Sequence, residues 1–205
     1  MSLLDHDVIV VNQKVKLIEL TNEYMIRDAD GNDIGVIRQE GQSKAKKLLR
    51  LVASVDQFMT HTLAVYDADG TKVLQLVRPR KFVKSRLEVS DGHGQPIGSI
   101  VQQNAIGKIR FGLHDAAGNE VGLMRGENWR AWNFAIEDTS GKEVGRITKK
   151  WEGLLKTSFT TADNYVLQID PEVAGPMRLL VFATAAAVDT ALKQDSRGLN
   201  SGIGL

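Results

Sequence analysis

Short segments in which apolar and polar residues alternate recur along most of the chain. Examples are RLEVS at 86–90, KIRFGLH at 108–114 and WNFAIED at 132–138. Alternation with a period of two is typical of a β-strand that buries one face and leaves the other towards solvent. The pattern therefore predicts a protein built mainly of β-strands.

A repeated motif spaces these strands. In each copy Asp stands three residues before Gly, and Ile or Val stands three residues after that Gly. The five copies lie at 28–37, 67–76, 91–100, 115–124 and 138–147. Asp can accept hydrogen bonds from a turn backbone, and Gly tolerates a positive φ, so each copy predicts a β-hairpin turn.

The number of hairpins indicates whether the sheet is open or closed. Five hairpins, together with the strands expected in 7–20 and 153–169, give about twelve strands. An open sheet of this size would leave two unpaired edges and one uncovered apolar face, and closure removes both problems. We therefore predict an all-β fold, a closed antiparallel barrel of about twelve strands whose wide lumen needs filling.

The most apolar part of the chain is the candidate for that filling. Ten residues without a formal charge lie between Arg178 and Asp189. As a helix they would span about 15 Å, half of the roughly 30 Å of a bilayer core. A helix that is apolar on all sides is normally buried. We predict a buried helix at 176–194, in a single domain 1–198 followed by a flexible tail at 199–205.

Composition excludes several classes of protein. The chain has 205 residues, 42% of them apolar, a net charge of +1 and no cysteine. Disulfides, thiolate metal sites and a cysteine nucleophile are therefore absent. A near-zero net charge gives no overall attraction to nucleic acid, which we do not expect as a partner. The first residues lack the basic and small-residue features of a secretory signal, so we expect a cytoplasmic protein.

The sequence shows no enzymatic motif, and we predict no catalytic residue. Its four histidines have no metal-ligand spacing. A nucleophile elbow, a phosphate-binding loop and a dinucleotide fingerprint are all missing from the sequence.

Two basic segments are candidate lipid-binding elements. The first, at 43–59, predicts an amphipathic helix whose cationic face includes Lys46, Lys47 and Arg50. It fits either a surface helix that caps the barrel or a helix that contacts lipid. The second, RPRKFVKSR at 78–86, fits either a solvated barrel rim or a site for anionic headgroups. Its cations are Arg78, Arg80, Lys81, Lys84 and Arg86.

Three stretches of the chain carry a family resemblance. They are QKVKLIELTNEYMIRDADGNDIG at 13–35, VLQLVRP at 73–79, and GRITKKWEGLLKTSFTTADNYVLQIDPEVAG at 145–175, which the apolar LLVFATAAAVD follows. In this order they resemble the phospholipid scramblases over nearly the whole chain. The resemblance implies membership of the tubby-like and LURP-one-related barrels, with twelve strands around a C-terminal helix.

The resemblance also implies a calcium segment. Animal scramblases are associated with calcium-dependent mixing of phospholipids between leaflets, and their acidic twelve-residue segment corresponds to TADNYVLQIDPE at 161–172. The candidate metal ligands here are Asp163, Asp170 and Glu172. Thr161 and Tyr165 stand where carboxylates are usual, and Val166 replaces the glycine that an EF-hand needs. We expect calcium to bind at millimolar strength or not at all, and we expect no cofactor.

Two functional hypotheses remain. In the first, the chain is a peripheral module that binds anionic phospholipids at the inner face of the membrane, and lipid scrambling is implied by resemblance alone. In the second, it is a soluble interaction or scaffold barrel without lipid activity, whose protein partner the sequence does not identify.

Overall fold

The computed structural model describes residues 2–12, 23–40, 61–79, 86–104, 110–128, 133–149 and 164–200. These residues form a short 3₁₀ helix at Leu3–Asp5, twelve strands and one α-helix, α1, at Gly175–Asn200. The strands are β1 (Val8–Asn12), β2 (Glu23–Arg27), β3 (Asp33–Glu40), β4 (His61–Asp67), β5 (Lys72–Arg78), β6 (Arg86–Asp91), β7 (Pro96–Gln102), β8 (Arg110–Asp115), β9 (Glu120–Asn128), β10 (Asn133–Asp138), β11 (Glu143–Thr148) and β12 (Asn164–Ile169).

The twelve strands close into an antiparallel barrel. Each strand pairs with its neighbours in sequence, and β1 pairs with β12, so that Ile9 lies opposite Leu167. Closure leaves no unpaired edge and turns one face of every strand towards a common interior. The predicted fold, a closed twelve-stranded antiparallel barrel around a helix, is confirmed.

All five Asp-x-x-Gly motifs form the predicted turns. In each turn the Gly N–H donates to the Asp carbonyl over 3.0 to 3.2 Å. The five glycines have φ between 84° and 91°, a region that favours glycine. In four turns the Asp carboxylate also accepts from the backbone N–H four residues later, over 2.8 to 3.0 Å. Local chemistry therefore fixes each hairpin.

The up-and-down topology places these turns together. Each turn follows an even-numbered strand, so all five lie at one end of the barrel, which we call the turn end. The turn after β12, which leads into α1, lies at the same end. The segments that connect β3 to β4, β5 to β6 and the later hairpins leave from the opposite end, which we call the loop end.

Helix α1 fills the barrel from the turn end. Residues 180–188 are at most 6% exposed, which confirms that the apolar run is core. The helix starts one residue before the predicted 176–194 and continues to Asn200, into the predicted tail. Residues 201–205 of that tail lie outside the described residues.

Inward-facing glycines let the helix approach the wall. A Cβ atom at Gly145 would lie 2.8 Å from Cγ1 of Val181, and one at Gly122 would lie 2.9 Å from Cε of Met177. Both distances are shorter than van der Waals contact, so the absence of a side chain at these positions sets how closely α1 packs.

The N-terminal residues close the turn end. Leu3 is fully buried, and its N–H donates to the carboxylate of Asp67 over 2.7 Å. Ser2 donates to the other oxygen of Asp67 through its hydroxyl, over 2.9 Å. Asp67 thus binds the N-terminal turn in addition to forming a hairpin.

Candidate functional site

Charge is strongly separated along the barrel. The turn end comprises residues 2–7, 27–33, 67–72, 91–96, 115–120, 138–143 and 170–178. These contain fourteen Asp and Glu against four Lys and Arg, a net charge of −10. Because the whole chain carries +1, all other residues together carry +11. The near-zero net charge therefore combines an acidic turn end with an excess of basic residues in the rest of the chain.

The two basic segments join the barrel at its loop end. Lys46, Lys47 and Arg50 lie in 41–60, between β3 and β4, and this segment has a net charge of +3. Arg80, Lys81 and Lys84 lie in 80–85, between β5 and β6, which also carries +3. These six residues lie outside the described residues. The strands that hold the two segments are nevertheless described.

Strand register brings the two segments together. His61 directly follows residues 41–60, and Arg78 is the first residue of the second basic segment, 78–86. These two residues are register partners in the β4–β5 ladder. Opposite residues of an antiparallel pair have Cα atoms about 4.5 to 5.5 Å apart. The ends of β4 and β5 to which the two basic segments are joined therefore lie side by side.

The structure separates the two described cations of the second segment. Arg78 is only 8% exposed and continues the inward alternation of Leu74 and Leu76 along β5. Arg86 lies on the outer face of β6, has a 55% exposed side chain, and pairs with Glu88 at 3.4 Å. Only Arg86 of these two is presented to solvent.

Arg178, near the start of α1, is a partly buried cation with four hydrogen-bond acceptors. Its guanidinium donates to the carbonyls of Leu4 and His6, over 2.7 and 2.9 Å, and to Asp7 Oδ1 over 2.8 Å. It also donates to the carbonyl of Val173 over 3.2 Å. This network fixes the start of α1 to the residues that precede β1, and its only sequence signal was an arginine at the edge of an apolar run.

In the part of the chain that the structure describes, no helix combines the length and apolar character needed to cross a bilayer. Within the same residues, no group of three or more His, Asp and Glu side chains is arranged to hold a metal ion.

Comparison with known proteins gives the family. A sequence model of the Scramblase family matches residues 1–192, most of the chain. This chain belongs to the scramblase family. A phospholipid scramblase family protein of Schizosaccharomyces pombe is 26% identical over 187 residues, with 81% of this chain and 47% of the relative covered. The chain thus spans about half the length of that relative. No solved structure matches the chain.

The family assignment confirms the resemblance to phospholipid scramblases. The tubby-like and LURP-one-related assignment stays a prediction. The candidate calcium segment has three carboxylates. Two of them, Asp170 and Glu172, belong to the described residues.

Those two carboxylates share one lysine. Lys142, from the β10–β11 turn, places Nζ 2.9 Å from Asp170 Oδ2 and 2.7 Å from Glu172 Oε2. Hydrogen bonds to Glu172 and Asp170 raise the pKa of Lys142 above its usual value, and the bond from Lys142 lowers the pKa of Asp170. Asp163 lies outside the described residues. The two described carboxylates of the segment therefore belong to an ion-pair cluster with Lys142.

Proposed function

We propose that this scramblase-family chain is a peripheral module that binds anionic phospholipid headgroups through its loop end. The observation that supports this proposal is the pairing of His61 with Arg78, which places side by side the strand ends that hold the two basic segments. Lysine and arginine at an anionic membrane surface contribute about 1 kcal/mol each. Cations gathered at one end can act on one surface together, whereas scattered cations cannot.

The proposed headgroup contacts follow from this placement. They are Lys46, Lys47, Arg50, Arg80, Lys81, Lys84 and Arg86. Arg78 was also predicted to contact lipid, but its burial favours a role in the barrel interior. In the bound orientation the loop end faces the cytoplasmic leaflet, which carries the negative surface potential.

The acidic turn end does not oppose this binding. A strand of seven residues rises by roughly 20 Å along its own axis and is tilted in a barrel, so the two ends of the barrel are separated by about two Debye lengths, each about 8 Å at physiological salt. Repulsion between the turn end and the membrane is therefore screened, while attraction at the loop end acts at contact. The same polarity favours one orientation of the barrel on the surface.

The proposal covers binding and not movement of lipid between leaflets. The apolar helix α1 is enclosed by the barrel, and residues 180–188 have almost no surface that lipid could contact. Scrambling by this fold would need a conformation in which the helix or the barrel wall reaches lipid.

Cosedimentation with liposomes tests the proposal. We expect binding to vesicles with about 30 mol% phosphatidylserine at about 0.05 M salt, little binding to neutral vesicles, and release at about 0.5 M salt. The variant Lys46→Gln/Lys47→Gln/Arg50→Gln should bind more weakly, as should Arg80→Gln/Lys81→Gln/Lys84→Gln.

A matched variant separates position from net charge. Arg27, Arg125 and Arg146 lie away from the loop end, where they pair with Asp33, Glu137 and Glu143. Arg27→Gln/Arg125→Gln/Arg146→Gln removes the same charge and should retain binding. Equal losses in all three variants would contradict a loop-end site. Absence of binding at low salt would remove the lipid proposal and leave the scaffold hypothesis.

A further inference from the structure

The described residues of the calcium segment, 164–172, form a strand and a turn. The strand is β12, which runs from Asn164 to Ile169. This strand pairs with β1 on one side and β11 on the other, and Leu167 lies opposite Ile9 and Ile147. Val166 and Leu167 are fully buried. The segment therefore cannot curl around an ion without opening the barrel.

The strand separates the candidate ligands. Five steps of about 3.3 Å place the Cα atoms of Asn164 and Ile169 roughly 17 Å apart. Asp163 is bonded to Asn164 at the loop end, and one peptide link adds at most about 3.8 Å in any direction. Asp170 and Glu172 lie at the turn end. Calcium ligands all lie about 2.3 to 2.6 Å from the ion, so Asp163 cannot share one ion with the other two.

The remaining two carboxylates already hold a cation. The ammonium of Lys142 contacts both of them at hydrogen-bond distance. Asp170 also accepts from the N–H of Glu172 over 2.9 Å, and its own N–H donates to the carbonyl of Val144 over 3.0 Å. Through these two ion pairs, Lys142 connects the β10–β11 hairpin to the turn that leads into α1.

We infer that Lys142 is the resident cation of the Asp170–Glu172 turn, and that residues 164–172 form a structural strand and turn instead of part of a calcium site. Lys142 is a positioning residue that fixes the turn before α1. This inference is independent of headgroup binding at the loop end, and neither result decides the other.

Calorimetric titration of the full chain with calcium chloride, together with thermal melts at about 1 mM calcium, tests whether the segment is a calcium site. We expect no saturable heat and no rise in Tm. A site with a Kd of about 10 μM would raise Tm by roughly 5 to 10 °C. A rise that is lost in both Asp163→Asn and Asp170→Asn would overturn the inference. A rise that survives both substitutions places calcium elsewhere and supports it.

Charge reversal at Lys142 tests its role as the resident cation. Lys142→Glu replaces the resident cation with a third carboxylate, so Tm should fall without calcium and recover when calcium is added. Lys142→Arg, which keeps the cation, should melt close to the parent protein. The matched control is Lys72→Glu, because Lys72 pairs at 3.2 Å with Glu40 on another hairpin. It should also melt earlier but gain no calcium response. A Lys142→Glu variant that calcium does not stabilise more than this control would contradict the role of Lys142 as resident cation.

Discussion

The phenol of Tyr165 donates a 3.0 Å hydrogen bond to the main-chain carbonyl of Ala185, and both residues are buried. Tyr165 belongs to β12 in the barrel wall, whereas Ala185 lies in the middle of the enclosed helix. Apolar packing alone is non-directional and allows an alanine-rich helix to slide along its axis. The bond gives the helix a fixed position relative to the wall.

Tyr165→Phe should lower the free energy of unfolding by about 1 kcal/mol, the usual contribution of one intramolecular hydrogen bond. Urea denaturation measures this loss. Thr184→Val is a suitable control, because the Thr184 hydroxyl donates only to Val181 of its own helix, over 2.6 Å. The control should lose less stability. An equal loss would show that the bond between wall and helix stabilises the fold no more than a bond within the helix.

Gly145→Ala tests the close approach of wall and helix. The added methyl would lie 2.8 Å from Cγ1 of Val181 and 3.0 Å from the carbonyl oxygen of Gln168. Overpacking of this kind costs about 1 to 3 kcal/mol, again measurable by urea denaturation. Val181→Ala removes the nearest atom, so the double variant should lose less stability than the two single variants added together. Strict additivity would contradict a direct clash.

Sequence reasoning succeeded where the chemistry is local. An Asp that bonds its own turn and a Gly with positive φ are properties of four or five consecutive residues, so the motif predicted all five hairpins. Closure followed because twelve strands in series otherwise leave two edges. The buried helix followed from its length and its uniform apolar surface.

Sequence reasoning was weaker where side chains meet across distant parts of the chain. Arg78 was grouped with its neighbours as part of a charge run, although alternation from Leu74 and Leu76 already indicated that it faces inward. The closure of the turn end by Leu3 and Arg178 depends on contacts between the two ends of the chain, and no periodicity encodes them. For the same reason the pairing of His61 with Arg78 required the register of the sheet.

Removal of the Arg178 side chain should destabilise the whole barrel. Its guanidinium serves four acceptors and is 14% exposed, so Arg178→Met leaves partly buried carbonyls without their donor. We expect a loss of about 2 to 4 kcal/mol in the free energy of unfolding. Arg178→Lys keeps the charge but cannot reproduce the planar fork, and it should recover only part of the loss.

The control for this prediction is Arg38→Met. Arg38 is 51% exposed and pairs with Glu23 at 3.1 Å on the outer wall, where an ion pair contributes less than about 1 kcal/mol. If both arginine variants lost the same stability, the network at the turn end would not be what holds the start of α1.

The turn carboxylates should make the barrel sensitive to acid. The side chain of Asn119 donates to Asp115, and the hydroxyl of Ser140 donates to Asp138. These bonds, followed by backbone N–H donors of the same turns, hold the pKa of both carboxyl groups below the usual value. A carboxyl group whose pKa is lower in the folded state stabilises the fold above its unfolded pKa, near 4, and stops doing so as the pH falls through the folded pKa.

Asp115→Asn/Asp138→Asn should therefore be less stable than the parent protein at neutral pH, and the difference should shrink below about pH 4, where the parent carboxylates become protonated. The two urea midpoints, measured from neutral pH down to about pH 2, give the comparison directly. The folded pKa values lie below the unfolded ones, so the parent must lose more stability than the variant over this window. A difference between the two proteins that stays constant with pH would show that the turns depend on the shape of aspartate and not on its charge.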